Sequence, residues 1–220
     1  MVEISKSDMR SANLSTVHKT DDKEMCEKEK GGVPAEYHPL QKTWSLWFKK
    51  DQPGASWVGG QKKVHSFQTV EDFWSLFNYI QPANQLTKGS DYSLFKENIE
   101  PSWEDAANKN GGRWIVTINK AKVDEKTNID KYWLETVLLL IGEGFEDCLG
   151  DLVVGAVVSI RGKYNRVAVW ITTTDKDATN SIGETFKNRL KIPTGTSIHF
   201  QTHKDAQHQT SSAMRHMYVL

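Results

Sequence analysis

The chain has 220 residues with 28 basic and 28 acidic side chains, and 38% of its residues are hydrophobic. This length allows one domain with a sizeable core, and the balanced charge excludes a global electrostatic field that would attract polyanions. No apolar run approaches the roughly 18 residues of a membrane helix, and no apolar signal segment follows the N-terminus. The composition is therefore typical of a soluble globular protein that is not secreted.

The first 36 residues carry no aromatic side chain and a dense mixture of charges, as in KTDDKEMCEKEKGG. Such a segment cannot bury enough apolar surface to offset its ordering entropy, so we expect a disordered tail over residues 1–36. The first aromatic residue, Tyr37, begins a folded domain that we expect to span residues 37–220. Cys26 and Cys148 are isolated and form no disulfide framework, which favours a reducing compartment such as the cytoplasm or nucleus.

The first half of the domain contains strand and helix patterns. The segment TWSLWF predicts a strand with Trp44, Leu46 and Phe48 on one face and Trp47 on the other. The segment TVEDFWSLFNYIQP predicts a helix that opens with Thr69 and Asp72 as a capping box and stops at Pro82. The segment RWIVTI (113–118) predicts another strand.

The second half continues the alternation. DKYWLETVLLLIGEG (130–144) predicts a helix, and GAVVSIRGKYNRVAVWITT predicts a β-hairpin with its turn at Gly162 to Asn165. DATNSIGETFKNRL predicts a third helix, and SIHFQTH predicts a late strand. Three helices among strands with hairpin connections predict a single α+β domain with a mostly antiparallel sheet and the helices on one face.

No motif of a serine hydrolase, P-loop, dinucleotide fold or zinc protease occurs in the chain. His199 and His203 lie four apart in a strand-like segment, where that spacing does not converge on a metal ion. We interpret them as a surface pair. Cys148 has no nearby thiol partner and is interpreted as a buried or partly exposed thiol. The sequence thus favours a binding module without a metal or cofactor.

The predicted hairpin combines cations with an aromatic ring. Arg161 leaves the first strand, Lys163 lies in the turn, and Arg166 shares a strand face with Trp170, because alternate residues of a strand share a face. Cations on a hairpin are, by themselves, most often a solvated edge. A second observation is needed before they indicate a site.

Two tryptophans lie in loops that no strand or helix period explains, Trp57 in QPGASWVGG and Trp103 in EPSWEDA. A single tryptophan in a loop more often only covers the edge of the hydrophobic core. Together they favour stacking on a flat base, worth about 1–3 kcal/mol per base and more if the base is cationic. The adjacent Glu104 would accept the N–H groups of a guanine edge. A cationic guanine that carries several phosphates is the 7-methylguanosine of an mRNA cap.

The chain resembles the eukaryotic translation initiation factor 4E family, the mRNA cap-binding proteins, over residues 38 to about 200. The matching segments are HPLQKTWSLWF, TVEDFWSLFNYIQ, SDYSLFKENIEPSWEDAANKNGGRWIVTINK, YWLETVLLLIGE, GAVVSIRGK and VAVWITT. The resemblance implies a curved antiparallel sheet of about eight strands, backed by three helices on its convex side, with the cap on the concave side.

The resemblance also implies roles for individual residues. Trp57 and Trp103 match the two stacking indoles, Glu104 matches the carboxylate that contacts guanine, and Trp170 matches the tryptophan at the N7-methyl group. The cations expected near the phosphates are Arg161, Lys163, Arg166 and Arg113.

A second site is implied on the convex back, where scaffold proteins of the initiation factor 4G type and 4E-binding repressors dock a helix containing Tyr-x-x-x-x-Leu. The residues at the matching positions are His38, Pro39, Val70, Trp74, Leu134, Glu135, Leu138 and Gly142. One face of the predicted helix cannot bury Val70, Phe73, Trp74 and Phe77 equally. This favours Trp74 as an exposed anchor, and the alternative is a Trp74 that lies wholly in the core.

The C-terminal region departs from the family. Gln209 stands where the family often has a phosphate-binding lysine, for which Lys204 is a nearby substitute. Ser212 matches a regulatory phosphoserine position, although TSSAMRH is not its usual context, and the segment QKKVHSFQ differs as well. These departures suggest a paralogue with altered affinity or partners.

We therefore expect a cap-binding initiation factor that recruits a scaffold and performs no covalent chemistry. The alternative is a cap-binding repressor that recruits an inhibitory 4E-binding partner, since the residues of the convex back fit both. An enzyme that cleaves the cap is not expected, because no acid cluster for metal ions appears. We expect the protein in the cytoplasm, with the nucleus and mRNA granules as further locations.

Overall fold

In the part of the chain that the structure describes, eight strands form one antiparallel sheet. The computed structural model describes residues 37–50, 60–120, 125–193, 195–207 and 216–220, and the disordered tail predicted for residues 1–36 lies outside them. The strands are β1 Pro39–Lys50, β2 Gln61–Thr69, β3 Ser90–Lys96, β4 Gly112–Asn119, β5 Val153–Ser159, β6 Tyr164–Ile171, β7 His199–Thr202 and β8 Tyr218–Val219. In the sheet they lie in the order β2-β1-β3-β5-β6-β4-β7-β8. The number of strands and their antiparallel pairing confirm the predicted sheet.

Three long helices, α1 Val70–Tyr79, α2 Glu125–Ile141 and α4 Lys176–Arg189, correspond to the three predicted helices. Two short helices, α3 Asp147–Gly150 and α5 His203–Gln207, were not predicted, because four or five residues give no periodic pattern. None of the described helices combines the length and apolarity that a membrane crossing requires.

Strand alternation gives the sheet two different faces. In β6 the side chains of Val167, Val169 and Ile171 enter the large core, while Ala168 and Trp170 face the opposite side. The large core also receives buried residues from the three long helices, which therefore pack on the same face of the sheet. These helix residues are Phe73, Ile129, Trp133, Val137, Ile182 and Phe186.

We call the opposite side of the sheet the open face. It carries a small apolar cluster of Phe95, Ile115, Val154, Ala168 and Trp170, against which Trp103 packs. The open face therefore has an apolar floor but no long helix over it in the described part of the chain.

The ends of α1 follow the predicted signals. The hydroxyl of Thr69 accepts a hydrogen bond from the backbone N–H of Asp72 at 3.1 Å, as an N-cap residue does. The helix ends at Tyr79, before Pro82. The cap fixes where α1 begins, and so which of its side chains face outward.

Two predicted boundaries were wrong. The second helix begins at Glu125 rather than Asp130, because Ile129 adds a fully buried side chain and Asp130 accepts the backbone N–H of Asn84 instead of capping the helix. The hairpin turn lies at residues 160–163, because Asn165 already pairs with Ile118 of β4.

Candidate functional site

A pocket of about 180 Å³ lies on the open face where β3, β5, β6 and β4 run side by side. Its aromatic and cationic walls come from Trp103, Arg113, Arg161, Arg166 and Trp170. The predicted sharing of a strand face by Arg166 and Trp170 is therefore confirmed. The period of two brings residues 166, 168 and 170 to the same cavity.

The pocket contains more positive than negative charge. Arg161 makes an ion pair with the fully buried Asp91, with 2.8 Å between Nη1 and Oδ1 and 3.0 Å between Nη2 and Oδ2. Arg113 donates a hydrogen bond to the side-chain oxygen of Gln201 at 3.1 Å. Among the described residues, three guanidinium groups and one carboxylate thus line the pocket, and this surplus of positive charge favours an anionic ligand.

Burial disfavours the charged form of two of these guanidinium groups. It lowers the pKa of Arg113 to about 10, with the nearby positive charge of Arg166 as a second cause. Burial also lowers the pKa of Arg166. Within the described residues, the Nε atoms of both side chains lack a hydrogen-bond acceptor. An anion in the pocket would accept hydrogen bonds from these donors and would reduce the repulsion between the two guanidinium groups.

The segment between β3 and β4 presents Trp103 at the rim of this pocket. The Asp105 carboxylate accepts the backbone N–H of Glu100 at 3.0 Å and that of Ala107 at 2.8 Å. Buried Asn108 donates to the carbonyl oxygens of Glu100 and Ser102. Two side chains therefore fix a segment that has no regular secondary structure.

The sequence predicted no role for Asp105 or Asn108. The signal available was the residue type, since Asp and Asn side chains commonly bond to backbone groups in turns. Four polar residues of the described pocket lining were also not predicted, namely Gln61, Asp91, Ser93 and Ser159. Asp91 had the clearest signal, because it is the one charged residue within the otherwise uncharged run SDYSLF.

Glu104 follows Trp103 and is exposed. The Ser102 hydroxyl donates to its Oε2 at 2.6 Å, and the Glu104 backbone N–H donates back to the same hydroxyl at 3.1 Å. The hydrogen bond from Ser102 lowers the pKa of Glu104, and bonds from backbone N–H groups lower it further. The ionised carboxylate is therefore favoured relative to that of a free glutamate, and it can accept N–H donors.

Trp170 is only 1% exposed and lies in the wall of the pocket with an aromatic support behind it. Its ring centroid is 4.2 Å from that of His203, and it meets Phe95 edge to face at 5.3 Å. The interpretation of His199 and His203 as a surface pair was wrong. His203 is fully buried because α5 begins there and turns its ring under Trp170, while His199 stacks on His216.

We expect His203 to make the stability of the domain sensitive to acid. Burial, together with the charge of Arg113, lowers its pKa from 6.5 to about 3. Below about pH 6.5 this histidine is protonated in the unfolded chain but stays neutral in the folded chain. Stability therefore falls as the pH falls. Between about pH 7.5 and about pH 5, we expect protonation of His203 in the unfolded chain to lower the free energy of unfolding by about 2 kcal/mol. Urea unfolding at both pH values measures this change in the free energy of unfolding. The change should be smaller for His203→Gln than for the wild type, and an equal change in the two proteins would contradict this role.

Not every predicted site residue can be placed. Trp57, Gln209 and Ser212 lie outside the described residues. Lys163 is exposed in the hairpin turn, where its ammonium group lies 5.2 Å from the ring of Tyr164 and outside the pocket lining. Lys204 is exposed on α5. Within the described residues, no three His, Cys, Asp or Glu side chains converge on a metal position.

A second surface lies on the helix side of the sheet, where the start of β1 meets α1. The backbone N–H of Val70 donates to the carbonyl oxygen of His38 at 2.9 Å, and Pro39 pairs with Thr69. The His38 side chain and backbone N–H both contact the Glu71 carboxylate, at 2.6 and 3.0 Å. His38, Pro39 and Val70 are therefore brought together as predicted.

The indole of Trp74 is 37% exposed on α1, although it also touches the rings of Phe73 and Phe77. The alternative of a Trp74 wholly in the core is therefore wrong, and Phe73 is the buried residue. Residues of α1 and α2 together line one small cavity. These residues are Phe73, Leu76, Phe77, Trp133 and Val137.

The remaining residues predicted for this surface lie along α2. Leu134 and Leu138 are partly buried against the large core, and Glu135 pairs with Arg189 of α4 at 3.3 Å. Gly142 follows the last residue of α2, and its N–H donates to the carbonyl oxygen of Leu138 at 3.0 Å. Together with Trp74, these residues form what we call the helix-face surface: His38, Pro39, Val70, Trp74, Leu134, Glu135, Leu138 and Gly142.

The chain matches known proteins along almost its whole described length. A sequence model of the family "Eukaryotic initiation factor 4E" matches residues 39–218. The human eukaryotic translation initiation factor 4E is 44% identical over 184 residues, which cover 83% of each chain.

Solved structures agree with this match. The Caenorhabditis elegans eIF4E-3, solved with the 4E-binding protein Mextli and a cap analogue, has a TM-score of 0.77 and 39% identity over 84% of this chain and all of that one. A schistosome eIF4E, solved with m7GpppG and 4E-BP, has the same TM-score and 32% identity over 84% of this chain and 99% of that one. By sequence and by fold, the chain belongs to the eukaryotic initiation factor 4E family.

Proposed function

We propose that this protein binds the 7-methylguanosine cap of mRNA in the open-face pocket and a partner protein on the helix-face surface. Members of its family are translation factors and not enzymes. Two relatives of the same fold were solved with a cap analogue or a capped dinucleotide and with a 4E-binding protein. The observation that carries the proposal is that Trp103, Trp170 and three arginines meet in one cavity.

In this proposal Trp103 stacks on the methylated guanine, with Trp57 on its other face. A positively charged base is attracted to the π-face of an indole, which makes the methylated base a better ligand than plain guanine. Glu104 accepts the two kinds of N–H group on the Watson–Crick edge of guanine. Trp170 contacts the N7-methyl group from the pocket wall.

The phosphates of the cap would lie along the arginines. Arg161 is held by Asp91, so its guanidinium group is already oriented when the ligand arrives. Arg166 and Arg113 line the same cavity, and their Nε atoms have no hydrogen-bond acceptor among the described residues. Burial disfavours the charged form of both side chains. Lys163, in the exposed turn, would contact phosphates only at longer range. Ser212 stays a candidate phosphorylation site.

The helix-face surface takes an amphipathic helix in this proposal. Trp74 offers an exposed indole on α1, and the partly buried Leu134 and Leu138 of α2 lie on the same side of the sheet, a combination that suits a Tyr-x-x-x-x-Leu segment. A scaffold of the initiation factor 4G type would use this surface to start translation. The 4E-binding proteins in complex with the two relatives favour a second candidate, a repressor that recruits an inhibitory partner through the same residues.

Glu104→Ala should weaken binding of 7-methyl-GTP by at least about 10- to 150-fold, because a single hydrogen bond to a charged group is worth about 1.5–3 kcal/mol and Glu104 would accept two. Calorimetric titration of the purified protein measures the change. Glu100→Ala is the matched control, since it removes an exposed acid from the same segment, and its affinity should stay within about twofold.

The wild-type protein should also prefer 7-methyl-GTP to GTP. Equal affinity of wild-type and Glu104→Ala protein for 7-methyl-GTP would contradict the role of Glu104. A wild-type protein that does not distinguish the two nucleotides would overturn the proposed function as a whole.

A further inference from the structure

Ser102 and Glu104 are joined by two hydrogen bonds that close a small ring. The Ser102 hydroxyl donates to Oε2 of the Glu104 carboxylate at 2.6 Å and accepts the Glu104 backbone N–H at 3.1 Å. Ser102 is 5% exposed, whereas Glu104 is exposed. A buried hydroxyl therefore holds a carboxylate that faces solvent.

Ser102 itself is fixed by its surroundings. Its backbone N–H donates to the carbonyl oxygen of Glu100 at 2.7 Å, and its own carbonyl oxygen accepts from Asn108 Nδ2 at 2.7 Å. Asn108 is fully buried and also donates to Glu100 at 2.9 Å. The hydroxyl thus projects from an immobilised backbone, and the position of the Glu104 carboxylate is tied to it.

We propose that Ser102 is a positioning residue that holds the Glu104 carboxylate in the orientation needed to accept the N–H groups of guanine. This inference rests on the proposed function of Glu104. An exposed glutamate has several rotatable bonds and would lose that freedom on binding. A carboxylate that is already oriented loses less, and the ligand therefore binds more tightly.

The hydroxyl does not block the guanine. A carboxylate has about four acceptor positions on its two oxygens, and Ser102 uses one of them. Oε1 and the second position of Oε2 can still accept the two N–H groups of a guanine edge. The charge-assisted bond also keeps the carboxylate ionised, in line with the lowered pKa of Glu104.

The test compares two probes in calorimetric titrations of the full chain. One probe is 7-methyl-GTP, and the other is 7-methyl-inosine triphosphate, which lacks the 2-amino group and offers one N–H donor fewer. Ser102→Ala should weaken binding of 7-methyl-GTP by about 2- to 10-fold, the loss expected when one rotamer-rich side chain has to be ordered on binding. The loss for the inosine probe should be smaller, because one of the two oriented contacts is already missing.

Ser102→Thr retains the hydroxyl and should bind 7-methyl-GTP within about twofold of wild type, with thermal unfolding to confirm that each variant is folded. Unchanged or tighter binding by Ser102→Ala would overturn the proposal. So would an equal loss for both probes without rescue by threonine, since Ser102 would then only stabilise the loop. A wild-type protein that fails to bind 7-methyl-GTP would instead overturn the proposed function.

Discussion

Trp103→Ala is expected to reduce the affinity for 7-methyl-GTP by about 5- to 150-fold, which corresponds to the loss of about 1–3 kcal/mol of base stacking. Trp103 packs against the small apolar cluster of the open face and forms part of the pocket lining. Its removal takes away the face on which the cationic base would lie. Calorimetry suits the measurement, because it does not depend on the fluorescence of the tryptophan that is removed.

Trp103→Phe provides a graded control, since phenylalanine retains a smaller aromatic face and should lose less affinity than alanine. Trp74→Ala provides a positional control, because it removes a partly exposed indole from the other side of the sheet. Its affinity for 7-methyl-GTP should equal that of the wild type. Equal affinities of Trp103→Ala and wild type would exclude Trp103 from the binding site.

Trp74→Ala is expected to weaken binding of a peptide containing Tyr-x-x-x-x-Leu by about 30-fold or more, since a central tryptophan anchor is commonly worth about 2 kcal/mol or more. The indole is 37% exposed and is steadied by Phe73 and Phe77, so it presents a rigid apolar surface at little entropic cost. Fluorescence anisotropy of a labelled peptide measures the change.

Tyr79→Ala is the matched control for Trp74, because Tyr79 is a 93% exposed aromatic residue on the same helix. Its peptide affinity should stay near that of the wild type. Trp103→Ala should also retain the peptide while it loses the nucleotide. If Tyr79→Ala weakened the peptide as much as Trp74→Ala, the binding surface would have to be placed further along α1.

The sequence predicted the parts of the site that follow a regular period or a motif. The period of two in β6 predicted that Arg166 and Trp170 share a face, and both line the pocket. The helical period of α1 predicted that its aromatic residues could not all be buried, and Trp74 is exposed. These inferences succeed because local geometry alone decides which side chains share a face.

The parts that the sequence did not predict depend on contacts between distant segments. Asp91 and Arg161 are 70 positions apart and meet only because β3 pairs with β5. His203 is buried because α5 carries it under Trp170. The role of Asp105 depends on two backbone N–H groups of an irregular segment. No periodic pattern encodes contacts of this kind, so they require the three-dimensional structure.

In the described part of the chain, β2 and β8 form the two edges of the sheet. β2 carries the exposed Lys62, Lys63 and His65 along its length, and β8 has only two residues. A long and flat apolar edge invites pairing with strands of other molecules, whereas charged side chains and very short strands discourage it. The two edges of this sheet thus disfavour pairing with strands of other molecules, and its two faces remain available for ligand and partner.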